Sequence, residues 1–216
     1  MGRVNFKDFY GEGCIGIQFT SQYLLLANLQ RGLREVLLQD YQIIPLEASK
    51  GDKKTVAMEI KSFVGRDRFF SDNFALGVPR EETLVRYINF PIAVEENLAQ
   101  VISYELERYI PFTAEEVYFD YQIIQRIAEE NLLRIFLVAI KKESLEFYLD
   151  ILKEAQLTPA IVEISSTALL NTILFNHSGL DNDLRAIIHI EESSLEFLLI
   201  EGKTLKYSSV LTVNGD

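Results

Sequence analysis
Tyr104-Glu-Leu-Glu-Arg-Tyr-Ile-Pro-Phe-Thr-Ala-Glu-Glu-Val-Tyr-Phe-Asp-Tyr121 contains the change of period on which the fold turns. Before it, Val94, Leu98, Val101, Ile102 and Tyr109 recur at helical spacing and predict one helix over Val94–Ile110. Pro111 stops that helix, because proline disfavours helical backbone in the residue it follows. After it, Val117–Ile127 and Leu132–Ile140 read as long strands joined by a hairpin at Ala128-Glu-Glu-Asn131. Upstream, Thr83–Phe90 alternates, with Leu84, Arg86 and Ile88 on one face and Val85, Tyr87 and Asn89 on the other. Downstream, Ser144–Ala155 carries Leu145, Tyr148, Leu149 and Leu152 as an amphipathic helix. The unit is therefore β-α-β-β-α, a sheet with its helices on one face.

Strand-rich segments flank this unit on both sides. Cys14–Phe19, Tyr23–Gln30 and Glu35–Pro45 are apolar or alternating runs divided by turn-forming residues. Gly51–Val64 has helical spacing after a start signal at Ser49 and Asp52, and Phe74–Val78 reads as a short buried strand. Past the central unit come a strand at Ala160–Ile164 and a helix at Ser165–Phe175, with Ser165 and Ser166 as candidate N-caps. Leu184–Ile190, Ser194–Ile200 and Thr204–Val210 close the chain as strands, the last two joined by a tight turn at Glu201-Gly202-Lys203. The closing pattern repeats the opening one.

Composition narrows the chemistry. The 216 residues are 48% hydrophobic and 25% charged, enough for a real core in one large domain or two small subdomains. Cys14 is the only cysteine, and His177 and His189 are the only histidines. No disulfide, zinc cluster or Cys–His nucleophile is expected from that inventory. A net charge of −11 without a basic stripe argues against nucleic acid or an anionic membrane surface as partner. Met1–Asp8 lacks the apolar core of a signal peptide, and the apolar runs fall short of the roughly 20 residues a bilayer requires. The expectation is a cytoplasmic protein with no membrane insertion in this chain. Gly11-Glu-Gly13 is too short and acidic for a phosphate loop and is expected to be a turn before a strand. His177, after Asn176, is expected to cap a helix C-terminus, and the paired glutamates to lie on solvated faces and helix starts.

Leu76-Gly-Val-Pro-Arg80, Leu84-Val-Arg-Tyr-Ile-Asn-Phe-Pro91, Tyr104–Phe112 and Val117-Tyr-Phe-Asp-Tyr121 resemble the PilM family of type IV pilus assembly proteins. They are also similar to the cytoplasmic domain of the type II secretion protein GspL. The resemblance implies an actin-like (RNase H-like) α/β fold with an inserted β-α-β-β-α subdomain. Residues 1–79 are then the first actin-like subdomain, with a three-strand meander, a helix and a strand. Residues 80–157 are the inserted subdomain, and 158–216 the return helix and the start of the second actin-like subdomain. Because family members continue past residue 216, the second half is expected to be truncated at Val210–Asp216.

Actin-like ATPases cradle phosphate in two β-hairpins, each with a carboxylate to organise metal and glycine to let backbone N–H groups approach. PilM-like members read Gly-Ile-Asp-Ile-Gly-Ser in the first, where this chain has Gly16-Ile17-Gln18-Phe19-Thr20-Ser21. Gln18 replaces the carboxylate and Thr20 the glycine. The second hairpin should read roughly Asp-Ile-Gly and is His189-Ile190-Glu191-Glu192. With a shifted register Glu191 could organise a metal, but the first hairpin offers no carboxylate. A degraded nucleotide site with no cofactor and no metal is expected, and hence a scaffold and not an enzyme.

Resemblance also supplies the partners: the cytoplasmic tail of a PilN-like membrane protein, as in PilM-like members, or the assembly ATPase, as in GspL-like ones. Both place the chain at the inner face of the bacterial inner membrane, where a homodimer is also conceivable. Tyr109, Phe112, Tyr118 and Tyr121 are the candidate partner-binding residues, although alternation predicts that two or three of them are core. Glu105 falls on the apolar stripe of its helix and needs a cation, either Arg86 or Arg108, since an unpaired buried carboxylate costs several kcal/mol. Arg80 is expected to brace the fold. The competing functions are an active actin-like ATPase and a filament-forming protein.

Overall fold
In the computed structural model, β1 (Gly13–Phe19), β2 (Tyr23–Arg31) and β3 (Val36–Pro45) form an antiparallel meander. The structure describes residues 13–32, 35–46, 52–66, 73–177, 183–191 and 194–212. β4 (Phe74–Val78) runs parallel to β1, and β8 (Ile161–Ile164) parallel to β4, giving the sheet order β3-β2-β1-β4-β8. Period-two burial drives the sheet: Ile15, Ile17 and Phe19 of β1, Leu24 and Leu26 of β2, and Leu76 and Val78 of β4 are all buried. The helix α1 (Lys53–Val64) buries Val56, Ala57, Ile60 and Phe63. Asp52 caps it by accepting the N–H groups of Lys54 and Thr55, and Thr55 holds the capping carboxyl below its usual range. Ser49, the other start signal, lies outside the described residues, as do Gly11 and Glu12. In α3 (Lys142–Glu154) the Tyr148 ring lies 4.8 Å from Phe19, and Asp150 pairs with Lys53 at 2.8 Å.

The inserted sheet has the order β5-β7-β6, from β5 (Thr83–Pro91), β6 (Val117–Ile127) and β7 (Leu132–Lys141), all antiparallel. The hairpin turn ends on Asn131 in the left-handed region, φ 56°, where an asparagine is readily accommodated. The single helix expected over Val94–Ile110 is three pieces. Only α2 (Leu98–Glu105) is α-helical, between 3₁₀ turns at Ile92–Asn97 and Leu106–Arg108. Along the three pieces the buried residues are Leu98, Ile102, Leu106 and Ile110, four apart. They pack with Ile88 and Phe90 of β5 and with Leu133, Ile135 and Leu137 of β7. Glu105 therefore sits at the margin of the stripe, with Leu106 in the buried place.

The third sheet, β11-β10-β9, joins β9 (Leu184–Ile190), β10 (Ser194–Glu201) and β11 (Thr204–Thr212). Gly202, at φ 56°, makes the two-residue turn between the last two strands. The second face of the inserted sheet meets this one. Tyr87 lies 5.4 Å from Phe136 and stacks at 6.2 Å on Tyr207 of β11, while its hydroxyl reaches Ser208 Oγ at 3.4 Å. α4 (Ser165–Asn176) follows β8 in the chain; Thr167 Oγ1 donates to Ile164 O and His177 N–H closes the C-terminus on Ile173 O. By contacts the chain divides into two units, Arg80–Leu145 with Leu169–Asp216, and Gly2–Pro79 with Glu146–Ala168. Among the described residues no helix is long and apolar enough to cross a membrane.

Candidate functional site
The turn from β1 to β2 is held by its own threonine. Thr20 N–H donates to Tyr23 O at 2.9 Å, and Thr20 Oγ1 accepts the N–H groups of Tyr23 at 2.9 Å and Gln22 at 3.3 Å. A side-chain hydroxyl therefore takes both of these turn amides. Ser21 occupies the tip of the same turn. One pair inward, Gln18 stands opposite Gly77 of β4 and donates through Nε2 to Phe19 O at 2.8 Å. A Cβ at position 77 would lie 1.9 Å from Gln18 Oε1, so the amide occupies the space above the glycine. The hairpin thus presents a neutral amide that is already bonded.

Carboxylate chemistry at the turn from β9 to β10 is likewise spent locally. Glu191 N–H donates to Ser194 O at 2.9 Å, and the Glu191 carboxylate takes Ser194 Oγ at 3.4 Å and stands 3.9 Å from His189 Nδ1. Glu192 lies outside the described residues. Among the described residues, no three His, Cys, Asp or Glu side chains gather as a metal site.

The aromatic corner divides by side. Tyr109 meets Phe90 edge-on at 5.9 Å, its hydroxyl donates to Glu105 Oε2 at 3.1 Å, and Arg108 pairs with the same oxygen at 3.1 Å. Burial first, and then Glu105, push the Tyr109 hydroxyl above its ordinary pKa. Arg86, the other candidate cation for Glu105, instead donates to Tyr109 O and Val85 O, both at 2.9 Å. Phe112 and Tyr121 pack against the core with Tyr109, and Lys141 Nζ sits 4.9 Å above the Phe112 ring. Tyr118 takes the opposite face, is exposed, and lies beneath Lys142 Nζ at 5.6 Å. Of the four aromatics, the structure gathers three at the α2 margin and sends one to solvent.

Two features escaped the sequence: the exposure of Tyr104, and the partner of Arg80, the expected brace. Tyr104 of α2 is 80% exposed, on the face away from the stripe. Arg80, 8% exposed, lies 4.0 Å from Glu196 of β10, 3% exposed, and donates to Thr83 O at 2.9 Å. Burial lowers the Arg80 pKa while the Glu196 charge raises it. Glu196 could have been suspected because it shares strand parity with the buried Leu198 and Ile200.

The profile of the family described as type IV pilus assembly protein PilM matches residues 16–209. The chain belongs to the PilM family. Among solved structures, the PilM–PilN type IV pilus biogenesis complex superposes with a TM-score of 0.80 at 20% identity, over 92% of this chain and 61% of that one. This PilM-family chain thus spans 61% of the length of that relative. The cytoplasmic domain of EpsL, an inner membrane component of the Vibrio cholerae type II secretion system, gives a TM-score of 0.61 at 15% identity over 93% and 71% of the two chains. A Bacteroides thetaiotaomicron protein with an actin-like ATPase fold and unknown function gives 0.52 at 12% identity over 98% and 74%. No curated protein sequence matches significantly. The PilM-family chain has the actin-like ATPase fold.

Proposed function
We propose that this PilM-family chain is a non-catalytic scaffold of a type IV pilus or type II secretion platform, acting at the cytoplasmic face of the inner membrane. Its partner is the cytoplasmic tail of a PilN-like membrane protein, with the assembly ATPase as the alternative bait. What carries the proposal is the first hairpin: Gln18 stands in place of a metal-organising carboxylate, and the Thr20 hydroxyl takes the turn's N–H groups. A hairpin closed in this way has nothing to hold Mg²⁺ and little with which to meet phosphate. The solved relative with a TM-score of 0.80 is a PilM–PilN complex, which favours the tail as partner. In this scheme residues 1–79 are the first actin-like subdomain, 80–157 the inserted one, and 158–216 the return helix and the start of the second.

Immobilised chain tested side by side against a PilN-like tail peptide and the N-terminal domain of the assembly ATPase decides the matter. Capture of the tail supports a clamp that works without nucleotide. Capture of the ATPase domain alone makes the protein an adaptor for the motor. Capture of neither removes the scaffold function.

A further inference from the structure
Two rim strands of different sheets carry the same five residues, Asp-Tyr-Gln-Ile-Ile, at 40–44 on β3 and at 120–124 on β6. β3 is an outer strand of the five-stranded sheet, and β6 an outer strand of the inserted sheet. In both copies the aspartate Oδ1 accepts the N–H of the following tyrosine at 2.8 Å, Asp40 from Tyr41 and Asp120 from Tyr121. In both, an unpaired residue interrupts the ladder nearby. Gln39 is extra between the pairs Leu38–Leu29 and Asp40–Asn28, and Ile124 between Ile123–Ile135 and Gln125–Arg134.

A rim strand presents a row of unspent N–H and C=O groups, which templates pairing with another chain. A carboxylate that takes one of those N–H groups, beside a bulge that bends the strand, removes the regular register an added strand requires. β5, the other rim of the inserted sheet, is closed from the carbonyl side: Arg80 takes Thr83 O and Arg86 takes Val85 O, each at 2.9 Å. Of β3 and β6, β3 carries the greater hazard, with Leu38, Tyr41 and Ile43 at 56%, 63% and 56% exposed. On β3 Arg66 adds a second hold, bonding Asp40 at 2.6 Å and also Gln42.

We propose that Asp40 and Asp120 are edge caps, each tying up the N–H of the next tyrosine so that β3 and β6 do not pair with a second copy of this chain. The test uses the whole chain carrying Asp40→Ala, Asp40→Asn, Asp120→Ala, Asp120→Asn or the double change Asp40→Ala/Tyr41→Pro. Light scattering after gel filtration gives the mass, thioflavin T reports strand stacking, and circular dichroism reports the fold. Both alanine variants shift to higher mass than the parent. The asparagine variants, which keep Oδ1 as acceptor and lose the charge, elute with the parent. Asp40→Ala/Tyr41→Pro also elutes with the parent, because proline leaves no N–H at position 41 for a second strand to use, and a rim strand tolerates it. Alanine variants at parental mass overturn the proposal. So do asparagine variants that associate like alanine, which would make charge the barrier. Association of Asp40→Ala that Tyr41→Pro does not reverse, with or without loss of the fold, overturns it too.

Discussion

Arg80 and Glu196 set one charge against another where water does not reach, 4.0 Å apart. Removing one member strands the other, at a cost of about 3–5 kcal/mol, whereas replacing both with apolar groups of similar size is often neutral. Arg80→Met should therefore lower the unfolding free energy in urea by about 3–5 kcal/mol, and Arg80→Met/Glu196→Met should recover most of it. Additive losses in the double variant would mean that the two side chains act separately. Tyr87 supplies a pH signature for the same interface. Burial raises its hydroxyl pKa, and the bond to Ser208 lowers it in part. A raised folded value means the folded state prefers the protonated phenol. Its contribution is whole below the ordinary tyrosine value of about 10 and is lost as pH rises through the higher folded value. Melting temperature should thus fall above about pH 10, and Tyr87→Phe should flatten that limb in a thermal scan across the alkaline range.

The end of α3 shows what a single backbone conformation costs an element. Leu157 N–H bonds to Leu152 O at 2.8 Å and Gln156 N–H to Lys153 O at 2.9 Å, which is the Schellman pattern. Its pivot, Gln156, sits at φ 61°, where an L side chain crowds the carbonyl and glycine does not. Gln156→Gly should raise stability by about 1 kcal/mol, read as a higher urea midpoint with unchanged slope. A drop would show that the glutamine side chain contributes more than its backbone loses. Elements of this kind were mostly legible. β4 and β6 fall on the residues that alternation and turn chemistry predict, because period two in a half-buried strand leaves little room for another phase. The segment Ile92–Arg108 was not, because 3₁₀ and α turns share the three-to-four-residue spacing. There the buried places fall on Leu98, Ile102, Leu106 and Ile110, which leaves Glu105 at the margin of the stripe.

Across the chain, the order of elements and the Leu84–Pro91 and Tyr104–Tyr121 segments pointed to an actin-like fold, and the strand order β3-β2-β1-β4-β8 and the PilM profile agree. Pairings that join distant segments were hidden: nothing local in Arg80 names Glu196, and nothing local in Asp120 says that β6 is a rim. The β1–β2 and β9–β10 hairpins lie between these cases. Their residue types could be read directly, but only the folded turn shows that Thr20 points its hydroxyl at the N–H groups of Gln22 and Tyr23. That geometry sharpens the nucleotide test. A ligand that binds only the folded state stabilises it by RT ln(1 + [L]/Kd), about 2.7 kcal/mol at 100 times its Kd. Millimolar MgATP should leave the melting temperature where it was, as should MgADP. Gln18→Asp alone should not create a response, because Thr20 still holds the turn amides. Gln18→Asp/Thr20→Gly removes both obstacles at once, returning a carboxylate and freeing two N–H groups. If the double variant gains an MgATP-dependent rise that the parent lacks, the hairpin is an ATPase cradle closed by two side chains. A rise in the parent itself would place a working nucleotide site in this chain and end the case for a nucleotide-free scaffold.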